Sequence, residues 1–394
     1  MAKAINPKHA IRPIRPYQKP RKRDYSIVSN HPLLHFHHAC GTVFIGPSIV
    51  GIVKPNSRLE LHFLNVDHGD CTVIRHPGDE HKERGRISFV DINDWKDRKP
   101  DDESAVAGLS QFLKSNYDGG TGIFKSQISE EEYAEEYLND PVDYYQDNVE
   151  DGHDSVWRFI STHPDMDHLS GLNRLRVKVG ISGLWDTDHN KEMDEEDEWG
   201  PGFEPEDWEA YTEIRNDETS HFHIQPTEGE RGDFWEQDNI EILHPTPEFV
   251  QEINEENADA DKPEFNDISL VLLLETRAGS VLLPGDAEED AWDRILEEHE
   301  EKLDDVRVLK AAHHGREDGF HQEAVEAMDP EYVVLSVGKK PSTDAHSDYT
   351  DVCRNDAEVI STRQHGRVKF TIAKRGSMIP SLEYPDGIFD LPGE

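Results

Sequence analysis

The segment Ser161-Thr162-His163-Pro164-Asp165-Met166-Asp167-His168-Leu169-Ser170-Gly171 places four side chains able to ligate a metal within six residues. Pro164 keeps this run from being helical, so a loop can turn several of them toward one point. Imidazole and carboxylate together bind divalent transition ions, and a mixed set suits Zn²⁺, Mn²⁺ or Fe²⁺. Three other turns repeat the logic: Leu283-Pro284-Gly285-Asp286, Leu309-Lys310-Ala311-Ala312-His313-His314-Gly315 and Ile242-Leu243-His244-Pro245 each close an apolar run. An acid or histidine just past a core strand is costly to bury unless it is paired or metal-bound. Four such placements in one chain argue for a shared site. Asp70 and Asp91 also end early strand-like runs, where they would orient metal ligands from behind or simply cap turns.

The elements that must position these groups are mostly strands. From Leu59 the chain alternates strand-like and helix-like pieces: LELHFLNV (59–66), TVIRH (72–76), ISFVDIN (87–93), SVWRFISTH (155–163), GISGLWDTD (180–188), NIEILHP (239–245), DISLVLLLET (267–276), SVLLPGD (280–286), VRVLKAA (306–312), YVVLSVG (332–338) and RVKFTIA (367–373) read as strands. SAVAGLSQFLKSN (104–116) and DAWDRILEEHEEKL (290–303) read as helices, the second with Trp292, Ile295, Leu296 and Leu303 on one face. Polar clusters at strand ends predict a layered α/β fold with its site on the loops. No repeat of 20–50 residues suggests a solenoid or propeller.

Charge divides the chain. It has 394 residues and a formal net charge of −42, yet residues 1–59 carry ten Lys/Arg and one acid, Asp24. Residues 1–58 read as a basic, partly disordered arm and 59–394 as the folded domain. Residues 186–262 hold 27 acids against four bases and read as a long excursion with a few helical turns. Such segments are mostly solvated surface, although the excursion or the basic arm could also dock a protein partner or nucleic acid. The longest apolar stretch, Gly41 to Val53, is broken by Gly and Pro and falls short of the about 18 residues a membrane span needs. Three widely spaced cysteines, Cys40, Cys71 and Cys353, fit a reducing cytosol rather than a disulfide framework. A second metal cluster at His35, His37, His38 and Cys40, and a phosphate contact at Lys339 and Lys340, have bland readings as an exposed strand and a solvated turn.

Together the HxDxDH loop, the later LPGD and LKAAHHG resemble the metallo-β-lactamase superfamily, and within it the metallohydrolase domain of the competence protein ComEC and its soluble relatives. Asn65-Val66-Asp67-His68-Gly69-Asp70 stands where that branch has a GQGD-like turn, with His68 replacing Gln. Asn266-Asp267-Ile268-Ser269-Leu270-Val271-Leu272 matches its N-x-S-L-V-L strand. Asp165 takes the second His position of the commoner HxHxDH loop, as in the ComEC-like branch, and a hard anionic ligand there shifts preference toward Mn²⁺. The resemblance spans about Leu59 to Ala373 and implies a four-layer αββα sandwich. It implies two divalent ions, Zn or Mn, the first on His163, Asp165 and His244, the second on Asp167, His168 and either His313 or His314, with Asp286 bridging. Asp167, His314 and His346 would then serve catalysis, His346 near the substrate. A water activated between two such ions is the nucleophile that this arrangement implies, and the spare histidine of the pair could stabilise the leaving oxygen. The expected function is hydrolysis of a phosphodiester, with DNA or RNA among the substrates. The alternatives are a small-molecule phosphodiesterase or esterase, and a non-catalytic partner-binding protein on the same scaffold.

Overall fold

The computed structural model describes residues 42–45, 50–53, 58–67, 69–78, 85–94, 135–193, 203–216, 222–258, 260, 262–337, 344–353, 357–373 and 376–388. The helix read at 104–116, the histidines at 35, 37 and 38 with Cys40, His68, and Lys339 with Lys340 lie outside the described residues. The chain divides into two units, Met1–Lys54 and Pro55–Glu394. In the first, strands β1 (Thr42–Ile45) and β2 (Val50–Val53) pair antiparallel. Both strands fall within the stretch that is too short and broken to span a membrane.

The second unit is built on two sheets. One runs in the order β16-β15-β3-β4-β5-β6-β7-β8, from β3 (Arg58–Phe63), β4 (Thr72–Arg75), β5 (Ile87–Val90), β6 (Arg158–Ile160), β7 (Gly183–Trp185), β8 (Phe222–Ile224), β15 (Val368–Ala373) and β16 (Met378–Leu382). The other runs β14-β13-β12-β11-β10-β9, from β9 (Ile240–His244), β10 (Val271–Leu274), β11 (Ser280–Leu283), β12 (Val306–Lys310), β13 (Tyr332–Leu335) and β14 (Glu358–Ser361). The period of two along each strand explains their meeting. Leu61, Phe63, Val368 and Phe370 of the first sheet share a buried cluster with Ile242, Leu272, Val281, Leu283 and Val308 of the second.

The opposite faces are covered by helices. Helices α1 (Pro141–Asn148), α2 (Leu172–Lys178) and α3 (Pro205–Asn216) bury Tyr145, Leu175, Trp208 and Tyr211 against Val73, Phe89 and Phe159. Beyond α3 come α4 (Asp233–Asp238) and α5 (Pro247–Asn257). On the second sheet, α6 (Glu289–Leu303), α7 (Gln322–Met328) and α8 (His346–Val352) bury Trp292, Ile295, Val325 and Tyr349 against Leu273, Leu282 and Leu309. Each such aromatic or leucine contributes about 1.5–3 kcal/mol by burial. The result is the four-layer αββα sandwich expected from the motifs.

The acidic tract departs from its sequence reading. Among its described residues α3 and α5 run 12 and 11 residues, and besides β9, the strand read at 239–245, the tract supplies β8 at the edge of the other sheet. Trp208, Ala210, Tyr211 and Ile214 are buried while Glu209 and Glu213 stay in solvent. Glutamate is a good helix former, so a sparse apolar stripe suffices to dock such a helix.

Candidate metal centre

All the singled-out turns leave the sandwich at one edge. The 161–168 loop follows β6, Asp91 follows β5, His244 ends β9, Asp286 follows β11, and His313-His314 follow β12. Backbone hydrogen bonds lock them together: Ile92 N–H donates to His168 O (3.0 Å), Leu270 N–H to Thr162 O (2.9 Å) across the sheets, and His313 N–H to Gly285 O (3.1 Å). Two glycines make the approach feasible. A Cβ on Gly69 (φ +127°) would sit 2.7 Å from Asp167 O, and one on Gly285 (φ +60°) 2.7 Å from Thr162 Cβ.

Two of the turns, 161–168 and 313–314, converge on an oxygen of a third. Asp286 Oδ2 lies 3.2 Å from His168 Nε2, 3.3 Å from His314 Nε2, 3.8 Å from His313 Nε2 and 3.9 Å from His163 Nε2. Around it, His314 Nε2 is also 3.2 Å from Asp167 Oδ2, and His163 Nε2 is 3.9 Å from Asp165 Oδ2. Asp70, His168, Asp286 and His314 form one buried group of potential ligand atoms within 4.8 Å of each other.

Each ring is held from behind at Nδ1. Asp91 Oδ2 meets His168 Nδ1 at 2.9 Å, and the same carboxylate accepts from the Thr162 N–H and hydroxyl, both at 2.8 Å. Asp70 Oδ1 lies 3.4 Å from His314 Nδ1, its other oxygen bound by the buried Lys310 ammonium at 2.6 Å. His163 Nδ1 faces Thr162 Oγ1 (3.1 Å) and Ser269 Oγ (3.4 Å). His313 Nδ1 lies 3.0 Å from both Glu288 and Asp318. Acceptors at Nδ1 put the proton there and turn the Nε2 lone pairs inward, as in carboxylate–histidine–metal triads.

The electrostatics show what charge the site favours. Burial opposes charge on His168 and His314, yet Asp286 with Asp91 holds His168 well above its usual range, and Asp286 with Asp70 lifts His314 to about 10. Burial would raise Asp286 and Asp167, but the neighbouring histidines hold both well below the ordinary carboxylate range. Carboxylates packed this tightly demand positive charge, which protons on the two rings supply when nothing else does. His163 differs: burial and then His168 keep it neutral, and its buried Nε2 has no hydrogen-bond partner, nor has Asp286 Oδ1. An open imidazole lone pair beside an open carboxylate oxygen in a dry, anionic pocket fits divalent cations held by mixed N/O ligands.

Of the pair left undecided in the sequence, His314 is the buried member, 1% exposed, while His313 lies toward the rim at 13%. Two expected residues stand apart from the convergence on Asp286. His244 is buried at the end of β9, its Nε2 donating to Asp267 O (2.7 Å) and its ring 5.0 Å from that of Phe249. His346 opens α8, tethered by the Ala345 N–H to Gly315 O bond (2.9 Å), and no hydrogen bond or ion pair joins its ring to the cluster among the described residues. Lys310, Thr162, Ser269, Glu288 and Lys191 went unnoticed as site residues. Lys310 and Thr162 sit inside the quoted motifs, and a lysine in a buried strand was a usable signal; Lys191 gave none.

No protein-family profile and no curated protein matches the chain. Solved structures similar to it include unliganded yeast PDE1, 11% identical over 77% of this chain and 97% of that one, and Igni18, a metallo hydrolase from the archaeon Ignicoccus hospitalis, 12% identical over 82% and 98%. The diiron β-hydroxylase CmlA from Streptomyces venezuelae is 14% identical over 81% and 55%, so this chain spans about half its length. All three have a TM-score of 0.38, and no residue role is taken from them. What the chain itself establishes is the layering that the resemblance implied, an αββα sandwich with its histidine and aspartate turns gathered at one edge.

Proposed function

We propose that this protein is a binuclear metal-dependent hydrolase that cleaves phosphodiester bonds. The observation that carries this reading is the convergence of four Nε2 atoms on Asp286 Oδ2, each ring braced at Nδ1. His163, Asp165 and His244 would hold one cation, His244 through Nδ1 because its Nε2 is engaged with Asp267 O. Asp167, His168 and His314 would hold the other, with Asp286 shared. When bound, Zn²⁺ or Mn²⁺ supplies Lewis acidity toward a phosphoryl oxygen and lowers the pKa of water. The protein supplies the rest. Asp91 and Asp70 fix the rings of His168 and His314. His313, at the rim and braced at Nδ1 by Glu288 and Asp318, would act on the leaving oxygen from Nε2, as a donor only when the ring carries its second proton. His346, on the segment tied to the His314–Gly315 turn, would meet the substrate.

A small phosphodiester competes with nucleic acid as substrate, because a net charge of −42 repels a polyanion. The basic arm, residues 1–58, is the part suited to offset that repulsion. Among the described residues no helix is long and apolar enough to cross a membrane, and Cys71 and Cys353 are free thiols, in keeping with a cytoplasmic enzyme.

The test pairs elemental analysis of the purified protein with Mn²⁺-supplemented assays on single-stranded DNA and on a generic phosphodiester. Two metals per chain with DNA cleavage supports a nuclease. Two metals with only small-ester cleavage moves the assignment to a small-molecule phosphodiesterase. No metal after reconstitution overturns the enzyme reading and leaves a partner-binding protein.

A further inference from the structure

The acidic excursion sends one cation to the metal centre. Lys191, six residues beyond the end of β7, donates from Nζ to Asp165 Oδ1 at 2.6 Å, with Nζ 5.6 Å from the Phe265 ring centroid. The carboxylate is thereby divided: Oδ1 is taken by the ammonium, while Oδ2 faces His163 Nε2 across 3.9 Å, a separation that an ion between them would bridge. Asp165 is the more exposed acid of its loop, its side chain 37% accessible against 22% for Asp167, and Lys191 supplies the side-chain hydrogen bond it accepts.

Lys191 itself is anchored by a buried relay. Its backbone N–H donates to His189 Nδ1 (3.2 Å), His189 Nε2 meets the Tyr211 hydroxyl (2.7 Å), and that hydroxyl donates to Asp186 Oδ2 (2.7 Å). His223 from β8 (2.6 Å) and Arg215 from α3 (2.9 Å) close on the same Asp186 carboxylate. His189, Tyr211 and Asp186 are all buried. A relay of this kind has one consistent direction: His189 accepts at Nδ1 and donates from Nε2, which holds the loop carrying Lys191 in one place. The excursion's helix and edge strand are therefore wired, through Lys191, to Asp165.

We infer that Lys191 is a positioning residue that holds Asp165 so that only Oδ2 is presented to a cation beside His163. The inference rests on the binuclear reading above. Its sign distinguishes it from plain electrostatics. Removing a positive charge next to a cation site would by itself tighten binding, whereas losing a partner that orients a ligand weakens affinity by about 10–100-fold.

The experiment is calorimetric titration of the metal-free full chain with Mn²⁺ for wild type, Lys191→Met, Lys191→Arg, Asp165→Ala and the Lys191→Met/Asp165→Ala double variant. Wild type should take up two equivalents; uptake of none would sink the binuclear reading itself. In Lys191→Met one equivalent should weaken by at least about tenfold while the other is unchanged. Lys191→Arg should restore most of the loss, and the double variant should bind no worse than Asp165→Ala alone. Two equivalents bound by Lys191→Met as tightly as by wild type, or more tightly, would overturn the positioning role. So would a double variant weaker than Asp165→Ala, because Lys191 would then act other than through Asp165.

Discussion

Asp91 braces His168 at Nδ1 across 2.9 Å while His168 Nε2 sits 3.2 Å from Asp286, so a carboxylate, an imidazole and a second carboxylate stand in line through the sandwich edge. Asp91 does this with a positive φ of 57°, a backbone conformation that Asp and Asn tolerate better than other non-glycine residues. Asp91→Asn should keep the turn but lose the charge behind the ring. Metal affinity measured by titration should drop about 10–100-fold with little change in the melting midpoint. A variant with unaltered affinity would show that His168 is oriented by something else.

Asp286→Ala removes the oxygen shared by the four rings, and both equivalents of metal should be lost with hydrolysis. Elemental analysis after reconstitution checks this directly. Retention of full turnover would show that Asp286 is not the shared ligand.

Away from the site, Asp238 joins the buried guanidinium groups of Arg158 and Arg86, the latter at 2.7 Å. Arg158 is fully buried under the Trp185 ring at 4.7 Å. Truncating the shared acid leaves two desolvated cations, so Asp238→Ala should cost about 3–5 kcal/mol in denaturant unfolding. A loss below about 1 kcal/mol would mean that water reaches the arginines.

Two histidines remote from the centre make the fold acid-sensitive. Burial, and then the nearby Lys369, holds His62 down to about 3, and burial holds His76 at about 4 against the upward pull of Asp238. In the unfolded chain both take a proton near pH 6.5, while the native rings stay neutral. Their contribution is therefore complete above about pH 6.5 and drains away as pH falls toward the native values. Each accounts for about 1.4 kcal/mol per pH unit between roughly pH 6 and 4. His62→Gln should flatten the stability profile there by one proton; an unchanged slope would show that the His62 ring is protonated in the folded protein.

Strands were legible where burial was two-sided or alternating. DISLVLLLET and SVLLPGD became β10 and β11, paired antiparallel about their Arg-Ala-Gly turn as read. Short elements escaped: β8, β14 and β16 run three to five residues and are only partly buried, and they are strands because a sheet edge offers their backbones hydrogen bonds. The acidic tract misled because composition reports average polarity, while docking of α3 depends on a stripe of four residues.

By itself the sequence pointed to most of the groups that meet at Asp286, because a polar ligand-type residue is tolerated at the end of a buried strand only if something there satisfies it. The candidate ligand turns and a layered α/β fold follow from that constraint, while the αββα order came from the resemblance. Tertiary structure decided the pairings between residues far apart in the chain. Only folding brings Lys310 onto Asp70 and Lys191 onto Asp165, and only folding sinks His314 while leaving His313 at the rim. The reason is that residue type and local spacing set what a side chain can do. Which partner it finds within hydrogen-bond reach depends on how two sheets and an excursion of distant sequence stack against one another.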